Sequence, residues 1–189
     1  AVEKIEGAES FSFVVPGSAL GEVEKICSGE GSVTVNQGAR HILFQTGDTV
    51  LVCRRLEGEF LAYKNAIPRN NTIKIEGDAH TLLQSIERVS LIISDKLKSP
   101  LRCVFGDGML SITTKTGIGD AADQCPITGD GQELEIGFNN KYLMDALKAA
   151  PADRLRLEFT SGVAPCVILP AEGEENFVYM VLPVRLKAN

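Results

Sequence analysis

"ELEIGFNNKYLMDALKAA", residues 133–150, reads in two halves. Leu134, Ile136 and Phe138 alternate with Glu135 and Gly137 at period two, the signature of a half-buried strand. Beyond it the period lengthens. Tyr142, Leu143, Ala146, Leu147 and Ala150 fall on one helical face and are expected to point inward, with Asn139 or Asn140 as the N-cap. A strand running directly into an amphipathic helix is the unit from which the rest of the chain is read.

The unit recurs. "TIKIEGDAHTLLQSIERV" (72–89) alternates, then offers Asp78 as N-cap and Leu82, Leu83, Ile86 and Val89 as an apolar stripe. "FSFVVPGSALGEVEKI" (11–26) alternates, breaks at Pro-Gly-Ser, and places Leu20, Val23 and Ile26 on one face. The spacing between copies is roughly sixty residues, the mark of an internal repeat.

Strands follow each helix. They read "GSVTVNQ", "HILFQTG" and "TVLVCRRL" in the first copy, and "PLRCVFGDGMLSITTKT" with a stretch near "DQCPITG" in the second. In the third they are "RLRLEFTSG", "APCVILPA" and "NFVYMVLPVRL". "FGDGM" (105–109) lies between two alternating strands and precedes no helix, so it reads as a tight hairpin and not a phosphate-binding loop.

The repeat is therefore β-α-β-β-β, present about three times, and the fold class is α+β. Two copies can pack helix to helix beneath shared antiparallel sheets, which leaves one complete pair and one orphan. "YKNAIPRNN" (63–71) is the polar, proline-bearing linker, so the expected domains are 1–67, half of a repeat pair, and 68–189, a complete pair.

Composition narrows the function classes. Of 189 residues, 44% are hydrophobic and 23% charged, ordinary for a globular chain. The longest apolar runs fall short of a membrane span, and the N-terminus lacks the basic start and apolar core of a signal peptide. Five widely spaced cysteines, with no CxxC pair, argue against a disulfide framework or zinc site and for a reducing, cytoplasmic setting. The net charge of −6 argues, taken alone, against nucleic acid as a partner.

The end of the chain poses its own question. "YMVLPVRL" (179–186) is apolar on both strand faces, although a strand buries only alternate residues. Either something covers the second face or it is a binding surface. Pro183 confines the run to an edge or a bulge.

Together "FSFVVPGSALGEV", "RRLEGEFLAYKNAIP" (54–68), "LEIGFNNKYLMDAL" (134–147) and "YMVLPVRL" resemble the bacterial DNA polymerase III beta subunits, the sliding clamps. The resemblance implies a DNA clamp fold, in which 1–67 is the C-terminal half of a middle domain and 68–189 a complete C-terminal domain. It also implies a fragment, since the family's first domain and the segment preceding Ala1 have no counterpart here. In the family, full-length subunits close as a homodimeric ring around double-stranded DNA, without sequence preference. They tether the DNA polymerase III catalytic subunit, the clamp loader and other proteins that carry a short glutamine, leucine and phenylalanine motif.

Carried over, the peptide cleft comprises Asn139, Tyr142, Val163, Pro165, Met180, Val181, Leu182, Pro183, Val184, Arg185 and Leu186, with Leu61, Asn65 and Ala66 from the linker. Two positions depart from the family: Asn65 stands where a basic residue is common, and Pro165 where a small polar one is. Lys25, Arg88, Lys141 and Lys148 fall in helices and are the expected DNA-facing cations.

Rival readings are a peptide-binding interaction module without a DNA role and, more distantly, a Cys-His hydrolase. His41 and His80 are the sole histidines, and no nucleophile elbow or orienting third group accompanies them. The carboxylates are scattered without metal-ligand spacing. The reading is a non-catalytic processivity factor that needs no cofactor and no metal.

Overall fold

The computed structural model describes residues 11–94, 99–129, 133–173 and 176–186. The chain forms two compact units that divide between residues 62 and 63.

In the first unit, helix α1 (Gly17–Ile26) precedes strands β1 (Thr34–Gln37), β2 (His41–Thr46) and β3 (Thr49–Arg54), which form an antiparallel sheet in sequence order. Its core is small: Ile42, Phe44 and Cys53, with Phe13, Val15, Ala19, Val23, Val35 and Leu51 against them.

The second unit carries a short helix α2 (Tyr63–Ala66) and then two copies of one unit. One copy is β4 (Ile73–Asp78), α3 (Ala79–Ser90), β5 (Leu101–Gly106), β6 (Met109–Thr116), β7 (Gly119–Pro126) and a two-residue β8 (Thr128–Gly129). The other is β9 (Leu134–Phe138), α4 (Asn140–Ala149), β10 (Arg154–Phe159), β11 (Cys166–Pro170) and β12 (Tyr179–Val181).

The copies exchange their first strands. β4 pairs with β10 inside a five-stranded sheet, β12-β11-β10-β4-β8, while β9 pairs with β5 inside the four-stranded sheet β7-β6-β5-β9. Each copy thus completes the other's sheet, and α3 packs against α4. Leu82, Ile86 and Val89 of α3 and Leu143 and Leu147 of α4 join strand residues such as Phe105, Ile136 and Phe159 in one core.

The caps follow the expected chemistry. The Asp78 carboxylate accepts from the Thr81 amide at 2.7 Å and from its hydroxyl at 2.6 Å. The Asn139 amide oxygen accepts from the amides of Lys141 and Tyr142, at 3.0 and 3.3 Å. Of the two cap candidates for α4, Asn139 serves. At the 105–109 hairpin Gly106 faces Met109, and both loop residues, Asp107 and Gly108, have positive φ, as a two-residue hairpin favours.

Register between β4 and β10 is written in charge. Lys74 lies opposite Glu158, Glu76 opposite Arg156, and Asp78 opposite Arg154. A two-residue slip would set Glu76 against Glu158, or Lys74 against Arg156. Each pair contributes modestly, but like charges face to face disfavour the wrong pairing.

Three expectations are corrected. Residues 11–16 form no strand, although their alternation is right for one. In the second unit an opening strand finds its partner in the sibling copy, and the first unit's described residues contain no sibling. A backbone bond from the Leu56 amide to the Val14 carbonyl, at 2.8 Å, ties that stretch to the rest of the first unit. For the same reason α1 buries no residue, and Leu20 stays half exposed. In α4, Tyr142 points outward at 65% exposure, because Leu143 and Leu147 already occupy the packed face.

Candidate peptide-binding grooves

The terminal run is a strand for only three residues. β12 pairs with β11 through Val181 and lies at the sheet edge, as a following proline requires. The chain then crosses to the other sheet. Pro183 forms an isolated antiparallel bridge with Phe138 of β9, and the Val184 amide donates to the Gly137 carbonyl at 2.8 Å. The last described residues therefore join the edge of one sheet to the other.

Glycine makes the crossing feasible. Gly137 shares the outward face of β9 with exposed Glu135, yet Gly137 itself is buried. A Cβ there would meet the Val184 carbonyl oxygen at 2.4 Å and Leu186 side-chain carbons at 2.8 and 2.9 Å. Gly162, in the β10–β11 connection, lies equally close to β9. Its Cβ would meet the Glu135 carbonyl oxygen at 2.0 Å.

Two grooves flank this segment. One, of about 680 Å³, is lined by Glu135, Gly162, Val163, Pro183, Val184, Arg185 and Leu186. The other, of about 420 Å³, is lined by Ile93, Ser94, Ser99, Pro100, Asn139, Asn140, Lys141, Tyr142 and Val184. Val184 is their shared wall. Val163 at 80% exposure and Tyr142 offer apolar surface to a ligand, and Arg185 offers a guanidinium. The Glu135 carboxylate is already engaged by Arg102. Asn139 spends its side-chain oxygen on the helix cap, which leaves its NH2 for a ligand.

The fourteen positions expected in the cleft divide accordingly. Val163, Pro183, Val184, Arg185 and Leu186 come together in the larger groove; Asn139, Tyr142 and Val184 in the smaller. Pro165, Met180 and Leu182 line neither, nor do Asn65 and Ala66 on α2. Leu61 is exposed and belongs to the first unit. Val181 is a correction. It is buried at 4% exposure in the main core, because strand alternation opposite Cys166 turns it inward.

Glu135, Gly162 and the residues at 93–94 and 99–100 were missed. Only the glycine within a strand pattern at 137 carried a signal, that of close backbone approach.

Three of the helix cations have a carboxylate beside them. Arg88 Nε lies 2.6 Å from Asp123, Lys148 Nζ 2.8 Å from Glu87, and Lys25 Nζ 2.7 Å from Glu22. Lys141 is exposed and lines the smaller groove. The buried thiols do not suit nucleophilic chemistry: burial pushes Cys103 up to about 12 and raises Cys166 well above the usual thiol value. Among the described residues no cluster of His, Cys, Asp and Glu is arranged to hold a metal, and no helix is long and apolar enough to cross a membrane.

The sequence model described as "DNA polymerase III beta subunit, C-terminal domain" matches residues 64–185. The chain belongs to this family. It is 29% identical over 181 residues to the beta sliding clamp of Staphylococcus aureus, covering 94% of this chain and 48% of that protein. A DNA polymerase III beta subunit from Eubacterium rectale superposes with a TM-score of 0.85 at 30% identity, covering 94% of this chain and 48% of the other. A sliding clamp from Bartonella birtlesii, solved bound to griselimycin, superposes with a TM-score of 0.83 at 28% identity, covering 92% and 47%. The α+β clamp fold is thus shared with solved beta subunits. The chain spans about half the length of these relatives.

Proposed function

We propose that this chain contributes the partner-binding part of a sliding clamp, a non-catalytic processivity factor of the DNA polymerase III holoenzyme in the cytoplasm. One observation carries the reading. The terminal segment, bridged to β9, walls a groove whose lining combines exposed apolar surface with one guanidinium. Such a groove suits a short peptide with leucine and phenylalanine anchors and a backbone to be held. The partners are the catalytic subunit of DNA polymerase III, the clamp loader and other proteins with that motif. Residues 1–67 belong to the middle domain and 68–189 to the C-terminal domain, and the full-length protein closes as a homodimeric ring around double-stranded DNA.

The decisive test is a fluorescence-anisotropy titration of this chain with a labelled peptide carrying the glutamine, leucine and phenylalanine anchors. Saturable binding, lost when leucine and phenylalanine become alanine, supports the reading. Absence of saturation at millimolar protein sinks it.

A second reading has one observation in its favour. Arg88, Lys148 and Lys25 each have a carboxylate within ion-pair distance, which dilutes any positive helix surface. A peptide-binding module without a DNA role would look the same. Measurable duplex binding at low salt that weakens as salt rises favours the clamp.

A further inference from the structure

Glycines in strands are often only tolerated, and most in this chain would meet open space or ordinary contact. Gly106, in β5, is typical: a Cβ there would come no nearer than 3.8 Å to anything. Gly129, Gly137 and Gly162 differ: a Cβ at Gly129 would meet the Lys74 carbonyl oxygen at 2.2 Å, away from both grooves, whereas Gly137 and Gly162 lie where another segment presses on β9. Over Gly137 pass Val184 and Leu186, and against the Glu135 carbonyl lies Gly162 itself. Val184, Leu186 and Gly162 are also three of the seven residues that line the larger groove.

We propose that Gly137 and Gly162 are positioning residues of the peptide cleft, setting the distance of its two walls from β9. The inference rests on the function proposed above and deepens it. Neither glycine has a side chain with which to hold a peptide. Gly137 acts through the terminal segment, whose Val184 amide is held by the Gly137 carbonyl. Gly162 acts through its own connection, which presents the exposed Val163. A methyl group at 137 meets a backbone oxygen at 2.4 Å, which no side-chain rotation relieves, so the 184–186 segment must lift from β9. A methyl group at 162 meets a backbone oxygen at 2.0 Å and pushes the other wall outward. Either change displaces a wall while leaving the remaining lining side chains in place.

The test compares Gly137→Ala, Gly162→Ala, Gly106→Ala and Val89→Ala in the full chain, using the same labelled peptide. Val89 is a core residue of α3 that lines neither groove, so its truncation lowers thermal stability without touching a wall. Expected is at least tenfold weaker peptide binding by each of the first two variants. Gly106→Ala and Val89→Ala should bind like the unaltered chain below their melting temperatures. Amide exchange at Val184 should speed up in Gly137→Ala and not in Val89→Ala. If Gly137→Ala fails to fold, Gly162→Ala carries the binding test alone.

Unchanged affinity in the foldable glycine variants overturns the inference. So does a loss in Val89→Ala equal to theirs, because binding then follows stability. If the unaltered chain does not bind the peptide, the function proposed above fails. The inference is then decided by exchange at Val184, and unchanged exchange in Gly137→Ala overturns it.

Discussion

The Val184 amide donates to the Gly137 carbonyl at 2.8 Å, beside the Phe138–Pro183 bridge. That contact carries the chain from the edge of the five-stranded sheet to β9 of the other, and it separates two roles within a few residues. Val181 is core, whereas Val184 is wall. Val181→Ala is expected to cost about 2 kcal/mol of stability through the cavity it leaves. Val184→Ala should alter stability by no more than about 0.5 kcal/mol, and should weaken the anchored peptide by roughly 1–3 kcal/mol. Thermal melts and peptide titrations on both variants check the division. Loss of both properties in both variants would refute it.

The start of α3 should be sensitive to acid. The Thr81 hydroxyl and then its amide, by donating to the Asp78 carboxylate, hold it below the usual carboxylate range. A depressed folded value means that the cap stabilises above the unfolded value, near 4, and that this contribution is lost as pH falls through the folded value. Asp78→Ala should cost about 1 kcal/mol at neutral pH. The gap between variant and unaltered chain should shrink below about pH 4. A gap that is flat from pH 7 to pH 3 would exclude the cap.

Thiol labelling should report the two cores. Cys27 is half-buried, while Cys53, Cys103, Cys125 and Cys166 are buried. Burial, and next the neighbouring Cys125, raise Cys103 to about 12, so its thiolate is scarce at neutral pH. A thiol-reactive dye should label Cys27 first in the native chain and reach Cys103 and Cys166 only on unfolding. Mass spectrometry of partly labelled protein distinguishes the order. Early labelling of Cys103 would contradict the packed core.

Binding of this chain to a short DNA duplex should be weak, independent of sequence and lost as salt nears physiological strength, given the net charge of −6 and the paired helix cations. Glu87→Gln, which frees Lys148, should strengthen binding at low salt by a few tenths of a kcal/mol, the scale of one exposed charge. Electrophoretic mobility across a salt series measures both. A salt-resistant, sequence-specific complex would require a different partner surface.

How far the sequence could be read differs by residue. Leu82, Ile86 and Val89 were legible as a buried stripe because helical periodicity is local and the packed face follows from it. Asp78 and the Asp107–Gly108 hairpin were legible for the same reason: caps and tight turns are decided within a few residues. The alternation at 11–15 was a sound strand pattern that still made no strand, since a strand needs a partner and its partner is not local. Most of the expected cleft came from family resemblance. Five of the expected residues, Val163 and Pro183 to Leu186, meet in one groove through a crossing that no periodicity encodes, and for that reason Glu135 and Gly162 went unnoticed while Val181 turns into the core.

By itself, then, the sequence determined the β-α-β-β-β unit of the second and third copies, the caps of α3 and α4 and the hairpin at Asp107, all properties of neighbouring residues. Only the tertiary structure decided that β4 and β9 change places between copies, that the last strand ends at Val181, and that Val184 rather than Val181 walls the groove. Strand partners and burial are set by which distant surfaces can close on one another. At Gly137 that closure depends on a missing methyl group, whose meaning appears only once Val184 and Leu186 lie across it.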